Sequence, residues 1–357
     1  MQSKLVLLRN ILDKEGLDGL IISSRPNTFY YTGFTGTTSK CLVTRERAYL
    51  VVDFRYTTQA GEQAFPGIEV IEHEKNVNDT LNMLCTRHGV ESLGIEGQDI
   101  TFTMYQLLQE SLKEVKTLKD VQDSLNCVRM IKEPAEILLI EKAVDIADKA
   151  FQETLPVLKP GIRECEAALE LEYRMKKLGA SAVSFETIIA SGPRSALPHG
   201  VAGMRQFAAG DAVVMDFGAI YMGYCSDMTR TIFLGNPSQQ MQEIYDIVLR
   251  AQTEVLEKAA ENMTGKQLDR AAREIIYAAG YEKCFGHGLG HGVGIEIHEM
   301  PRVSPMGEDV LKKGMVFTVE PGIYVEGVGG VRIEDMVVLG ESGAKILTKS
   351  TKELLVL

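Results

Sequence analysis

Two stretches of this chain set acids into otherwise apolar, strand-like runs, and they do so with one spacing. The first reads Phe207-Ala-Ala-Gly210-Asp-Ala-Val-Val-Met-Asp216-Phe-Gly218 and the second Leu311-Lys-Lys-Gly314-Met-Val-Phe-Thr-Val-Glu320-Pro-Gly322. Each continues through a tyrosine, Tyr221 or Tyr324, to a second acid, Asp227 or Glu334, and then to Leu-Gly. The pattern predicts a domain of two related halves, each presenting two carboxylates from one hairpin. Residues equidistant from a hairpin's turn lie opposite one another. Asp216 is therefore expected to face Asp227 across a turn in Tyr-Met-Gly-Tyr, and Glu320 to face Glu334 across a turn at Gly327. Two carboxylates ~5 Å apart at an effective dielectric of ~20 repel by roughly 3 kcal/mol. Four cannot stay ionised among apolar strands unless protons or metal cations sit between them.

The histidines favour metal. His73 and His88 stand alone and read as surface or structural residues, whereas the other four fall in two contexts, Leu-Pro-His199-Gly and His287-Gly-Leu-Gly-His291-Gly-Val-Gly-Ile-Glu-Ile-His298-Glu. The run GHGLGHGVG is as glycine-rich as a phosphate loop but lacks the Lys-Ser/Thr of one. His287 and His291 read as loop residues, and His298 as the residue after a short alternating strand. Four carboxylates and one neutral imidazole carry a charge that two divalent ions balance. So oxygen-rich a set suits Mn²⁺, with Co²⁺ or Zn²⁺ as alternatives. Paired ions of this kind make a nucleophile from water and clamp a developing oxyanion, which is hydrolytic chemistry.

The rest of the chain frames this group. Its 357 residues exceed what one hydrophobic core usually supports, so two domains are expected. Residues 1–125 alternate helix-like and strand-like segments in an α/β pattern: a helix over Lys4–Glu15, a strand Gly19–Ile22, a hairpin CLVT-RERA-YLVVD, a strand Ile68–Ile71, a helix Asn78–His88, a strand Ser92–Ile95 and a helix from Thr103. Residues 126–357 open on a long helix in PAEILLIEKAVDIADKAFQETL, expected to end at Pro160-Gly161, with further helices over Glu164–Leu178, Gln239–Glu261 and Gly265–Gly280 between strand-rich segments. A net charge of −11 argues against a nucleic-acid or anionic-membrane partner. Cys41, Cys85, Cys127, Cys165, Cys225 and Cys284 form no C-x-x-C pair and read as reduced thiols. The opening residues lack the apolar block of a signal peptide and no window approaches a membrane span, so a cytoplasmic protein is expected.

VMDFG, SDMTRT, GHGLGHGVGIEIHE, TVEPGIY and VRIED, in that order, resemble the signature of the pita-bread metallopeptidases, the group of prolidase (Xaa-Pro dipeptidase), aminopeptidase P and, more distantly, methionine aminopeptidase. RPNTFYYTGFTG resembles the amino-terminal domain of prolidase and aminopeptidase P, which methionine aminopeptidase lacks. The resemblance implies an α/β N-terminal domain followed by an α+β pita-bread catalytic domain with a pseudo-two-fold repeat. It implies Asp216 as terminal ligand of one metal, His291 and Glu320 as ligands of the other, and Asp227 and Glu334 as bridges between them. Glu320 would also manage the proton of the attacking hydroxide. His199 and His298 match the substrate-side histidines, His298 as donor to the tetrahedral intermediate, while His287 and Arg332 match supporting residues around the ligands.

The implied activity is hydrolysis of Xaa-Pro bonds, foremost in dipeptides. The alternatives are an aminopeptidase P acting on longer Xaa-Pro peptides and, in another class, a peptide-binding pita-bread module without catalysis. Partners are then short proline-containing peptides and a second copy in a homodimer. A dipeptidase must grip the free carboxylate of the proline, and Arg302, just beyond His298 in HEMPR, is the candidate cation.

Overall fold

The computed structural model describes residues 4–357, and the chain divides into two compact units, Met1–Val128 and Arg129–Leu357. The division falls within the helix Gln122–Met130. The first unit is built on one mixed sheet of β1 (Gly19–Ile22), β2 (Lys40–Thr44), β3 (Ala48–Val52), β4 (Glu69–Glu72), β5 (Ser92–Ile95) and β6 (Thr117–Asp120), in the order β4-β3-β2-β1-β5-β6. Every residue of β1 and β3 is buried, so both faces of the sheet centre are covered and the strands read as continuous apolar runs. The segment RPNTFYYT is the helix Arg25–Thr32. Ser24 caps its start, and Gly33 ends it in the left-handed conformation at φ 80°.

In the second unit the sequence repeat becomes a repeat of packing. One four-stranded sheet runs in the order Leu355–Val356, Met228–Phe233, Ala212–Phe217, Ile188–Ser191. A five-stranded sheet runs Glu299–Val303, Gly290–Gly292, Val316–Val319, Asp335–Gly340, Gly343–Ile346. A helix pair covers each. Pro134–Thr154 and Glu164–Lys177 meet the first sheet through Phe151, Leu171, Ile189, Met215 and Phe217. Gln239–Lys258 and Gly265–Ala278 meet the second through Val248, Leu268, Ile276, Phe317 and Val337. Each helix therefore buries one apolar stripe against one sheet face. The long helix stops at Thr154 rather than at Pro160-Gly161, and a 3₁₀ turn Leu155–Val157 follows. Pro156 brings no N–H of its own, so the α-helical hydrogen-bond ladder cannot continue through it.

The hairpin registers fix where the acids point. In the second half Val319 pairs with Asp335 and Gly322 with Arg332, two registers that both set Glu320 opposite Glu334. In the first half the expected register is displaced. Asp216 pairs with Thr229, and Asp227 lies diagonal to it, two residues earlier on the neighbouring strand. The turn is centred on Met222 and Gly223, which adopt positive φ of 48° and 84°, the pattern of a two-residue hairpin loop. A two-residue displacement preserves the face, so both aspartates still point the same way.

Candidate metal centre

The two halves meet along a seam of hydroxyls. Thr231 donates to the Arg332 carbonyl at 2.9 Å and its Oγ1 accepts the Arg332 N–H at 3.1 Å, while the Glu334 N–H donates to the Thr229 carbonyl at 3.1 Å. This seam carries the acids of one hairpin against those of the other. Ligand atoms of Asp227, His291 and Glu334 all lie within 4.8 Å of one another. His291 Nε2 is 3.4 Å from Glu320 Oε1 and 3.6 Å from Asp227 Oδ2. Asp216 joins through Arg332, whose Nη2 donates to its Oδ2 at 2.6 Å, while Asp216 Oδ1 is buried with no partner. Glu334 accepts from the Thr229 hydroxyl at 2.7 Å and Glu320 from that of Thr318 at 3.1 Å. The donor set is four carboxylates and one imidazole with a buried oxygen left unsatisfied, and divalent cations fit it.

Electrostatics agree with the geometry. Burial, then the charges of Glu334, Asp216 and Glu320, push the Asp227 carboxyl well above the usual range. Glu334 is pushed the same way by burial, Glu320 and Asp216. Burial raises Glu320 to about 8 with Asp216 adding to the effect, although Arg332 and Thr318 oppose it. Burial also lowers His291 to about 4, helped by His298, so its imidazole is neutral and free to offer a lone pair. Without cations the cluster holds protons in their place.

The glycine-rich run is explained by close packing. A Cβ at Gly290 would overlap the Thr318 carbonyl and one at Gly292 the Met300 carbonyl, so His291 sits on a strand pressed between two others. His291 is thus a strand residue (Gly290–Gly292), not a loop residue as its neighbours suggested. His298 likewise departs from expectation. Gly294 to His298 form a series of bends, and the strand Glu299–Val303 begins only after them. The alternation of that run reflects a loop tied down by Cys225 N–H donating to Gly294 O at 2.7 Å and by Glu296 N–H donating to Glu299 Oε1 at 3.0 Å. The His298 and His291 rings still meet edge to face, with centroids 4.3 Å apart. Arg302 stands within the strand Glu299–Val303, opposite His291 in register. Its side chain is exposed and makes no ion pair among the described residues.

Arg332 organises the surroundings. Besides Asp216 it donates to Thr229 Oγ1 at 3.0 Å, the Tyr324 hydroxyl at 2.8 Å and the Pro198 carbonyl at 3.1 Å, immediately before His199. His287 Nε2 lies 2.9 Å from the same Tyr324 hydroxyl, and its Nδ1 2.7 Å from Gly288 O. Burial, then Arg332, lowers His287 to about 4. His199 is exposed in a turn.

Sequence reasoning passed over Thr229, Thr318 and Tyr324. The threonines had a readable signal, since each stands two residues from an acid (Asp227 and Glu320) and so shares its face of the strand. Tyr324 had none beyond its place in the repeat. A second group it missed centres on Glu299, the residue after His298. Glu299 is held by Lys132 Nζ at 3.0 Å and Arg129 Nη2 at 3.4 Å, with all three side chains at most 4% exposed.

Comparison with known proteins places this arrangement. The chain is 43% identical over 359 residues to a protein of Pyrococcus horikoshii named Xaa-Pro dipeptidase, covering 99% of each. An Xaa-Pro dipeptidase from Bacillus anthracis superposes with a TM-score of 0.97 at 41% identity over 99% of each chain. An X-Pro aminopeptidase from Thermotoga maritima superposes with a TM-score of 0.91 at 39% identity, over 98% of this chain and 100% of that one. The model of the Creatinase/Prolidase N-terminal domain matches residues 4–131. With residues 139–341 matching its peptidase model, the chain belongs to metallopeptidase family M24, a pita-bread catalytic domain preceded by a creatinase-type domain.

Proposed function

We propose that this metallopeptidase hydrolyses the bond between an N-terminal residue and proline, foremost in dipeptides. The observation that carries this reading is near full-length likeness to Xaa-Pro dipeptidases in a chain whose two hairpins bring four acids and a neutral histidine to one place. Family membership implies divalent metal ions. Asp216, Asp227, His291, Glu320 and Glu334 would hold two of them, Mn²⁺ suiting the oxygen-rich set before Co²⁺ or Zn²⁺. The ions, when bound, supply Lewis-acid polarisation and activation of water at neutral pH.

The chain's own residues do the rest. Glu320, with its raised carboxyl, is suited to take and return a proton near neutrality. His298, whose ring meets that of His291, would donate to the oxygen of the tetrahedral intermediate, and His199 would contact the bound peptide. Arg332 and His287 hold Asp216 and Tyr324 and thereby the geometry of the cluster. The protein is read as a cytoplasmic homodimer. Among the described residues no helix is long and apolar enough to cross a membrane.

Likeness to an X-Pro aminopeptidase of comparable identity supports a second reading, release of the N-terminal residue from longer Xaa-Pro peptides. A side-by-side assay of Xaa-Pro dipeptides and Xaa-Pro-Yaa tripeptides with defined metals separates the two. Dipeptides should be cut faster, and Arg302→Ala should weaken their cleavage by about 1 to 3 kcal/mol, the scale of a lost charged hydrogen bond. Faster cleavage of tripeptides by the unaltered enzyme would select the aminopeptidase reading.

A further inference from the structure

One buried carboxylate closes the loop that carries His199 from both of its ends. Glu164, the first residue of the helix Glu164–Lys177, is 0% exposed. Its Oε1 accepts the Ser191 N–H at 2.8 Å and the Ser191 hydroxyl at 2.7 Å, at the strand end where the loop leaves. Its Oε2 accepts the Gly203 N–H at 3.1 Å, where the loop returns, together with the Arg194 guanidinium. Arg194 extends the restraint, donating to the Val201 carbonyl at 2.9 Å. Between these ends Ser195 Oγ accepts the Gly330 N–H at 2.8 Å, and Arg332 donates to the Pro198 carbonyl at 3.1 Å. The His199 imidazole makes no hydrogen bond among the described residues, so the backbone of this loop alone sets its position. A fully buried carboxylate carries a desolvation cost that only such a set of donors offsets, and none of the reacting groups described above touches it.

We propose that Glu164 is a positioning residue that acts through the loop 192–203 to hold His199 on the substrate side of the metal centre. The inference rests on the substrate-side role given to His199. Glu164→Gln keeps the volume but turns an amide NH₂ toward a site where the Ser191 and Gly203 N–H groups and the Arg194 guanidinium can only donate, so the loop should loosen while the metal ligands, on other strands, stay in place.

The test is a double-mutant cycle of Glu164→Gln and His199→Ala on the metal-loaded enzyme, with metal content measured for each protein. Glu164→Gln should lower kcat/KM by about ten- to a hundredfold with metal content unchanged, and the double variant should be no slower than His199→Ala alone. Glu164→Asp, which keeps the charge, should recover part of the loss. If Glu164→Gln does not fold, Glu164→Asp enters the same cycle. Additive losses, or loss of metal from the Glu164 variants, would overturn the inference while leaving His199 in its role. Full activity of His199→Ala would remove both.

Discussion

Metal binding at neutral pH should expel protons, and the number can be counted. Glu320 is raised from 4.5 to about 8, and Asp227 and Glu334 well above their ordinary values. A carboxyl with a pKa of about 8 is roughly nine-tenths protonated at pH 7, so filling the site with Mn²⁺ should release about one proton from Glu320 and more from its neighbours. His291 contributes none, being lowered to about 4 and already neutral. The same shift costs the metal-free fold about 5 kcal/mol once pH exceeds 8. Between pH 4.5 and 8 the folded chain keeps a proton that the unfolded chain has released, so metal-free stability falls as pH rises. Buried His287 and His291, and His298 with them, slope the other way, an effect that fades above their ordinary 6.5. In the window from pH 6.5 to 8 the histidine contribution dies away and the three raised carboxyls dominate. Calorimetric titration of chelator-treated protein with MnCl₂ in buffers of different ionisation heat gives the proton count, and melting curves across that window give the slope. Release of less than about half a proton per chain at pH 7, or a metal-free melting temperature that rises from pH 6.5 to 8, would refute the reasoning.

Asp227→Asn and Glu334→Gln should each abolish peptide cleavage with loss of both metals by elemental analysis, whereas Arg332→Lys, which keeps the charge but not the fork that reaches Asp216, Thr229 and Tyr324, should cost about ten- to a hundredfold. Fully active enzyme without bound metal would contradict the assignment of the acids. His291→Ala should lower metal occupancy, while His298→Ala and His199→Ala should lower turnover or binding at nearly unchanged occupancy. Equal metal loss from His199→Ala and His291→Ala would mean that the roles are misassigned.

The chemistry was legible in the sequence because strands carry it. A period of two puts Asp227 with Thr229, Thr318 with Glu320 and Arg332 with Glu334 on shared faces, and spacing around the turns brings the faces together. What could not be read was where packing overrode local pattern. The run Gly292 to His298 alternates like a strand, yet from Gly294 on it folds into bends beside the buried charges of Glu299, Lys132 and Arg129, and those partners lie far apart in sequence. Arg25 to Thr32 shows no long apolar period. Its helix depends on the Ser24 cap and on Glu96, which accepts from Ser24 Oγ and Asn27 Nδ2, each at 2.6 Å.

The displaced register of the first hairpin has a chemical use. Had Asp227 stood opposite Asp216 as Glu334 stands opposite Glu320, the position across from Asp216 would hold a fourth carboxylate at the centre of the seam. It holds Thr229 instead. Thr229 is thus the counterpart of Glu334 in the other half, and its hydroxyl donates to Glu334 at 2.7 Å while accepting from Arg332 Nε at 3.0 Å. A neutral group that both donates and accepts joins the two halves where a charge would have repelled across them. Asp227 moves two residues along the strand, keeps its face, and comes within reach of His291 and Glu334. The departure from symmetry converts four mutually repelling acids into a set in which Thr229, Thr318 and Arg332 each hold one carboxylate by a directed bond, leaving oxygens such as Asp216 Oδ1 free to face a cation.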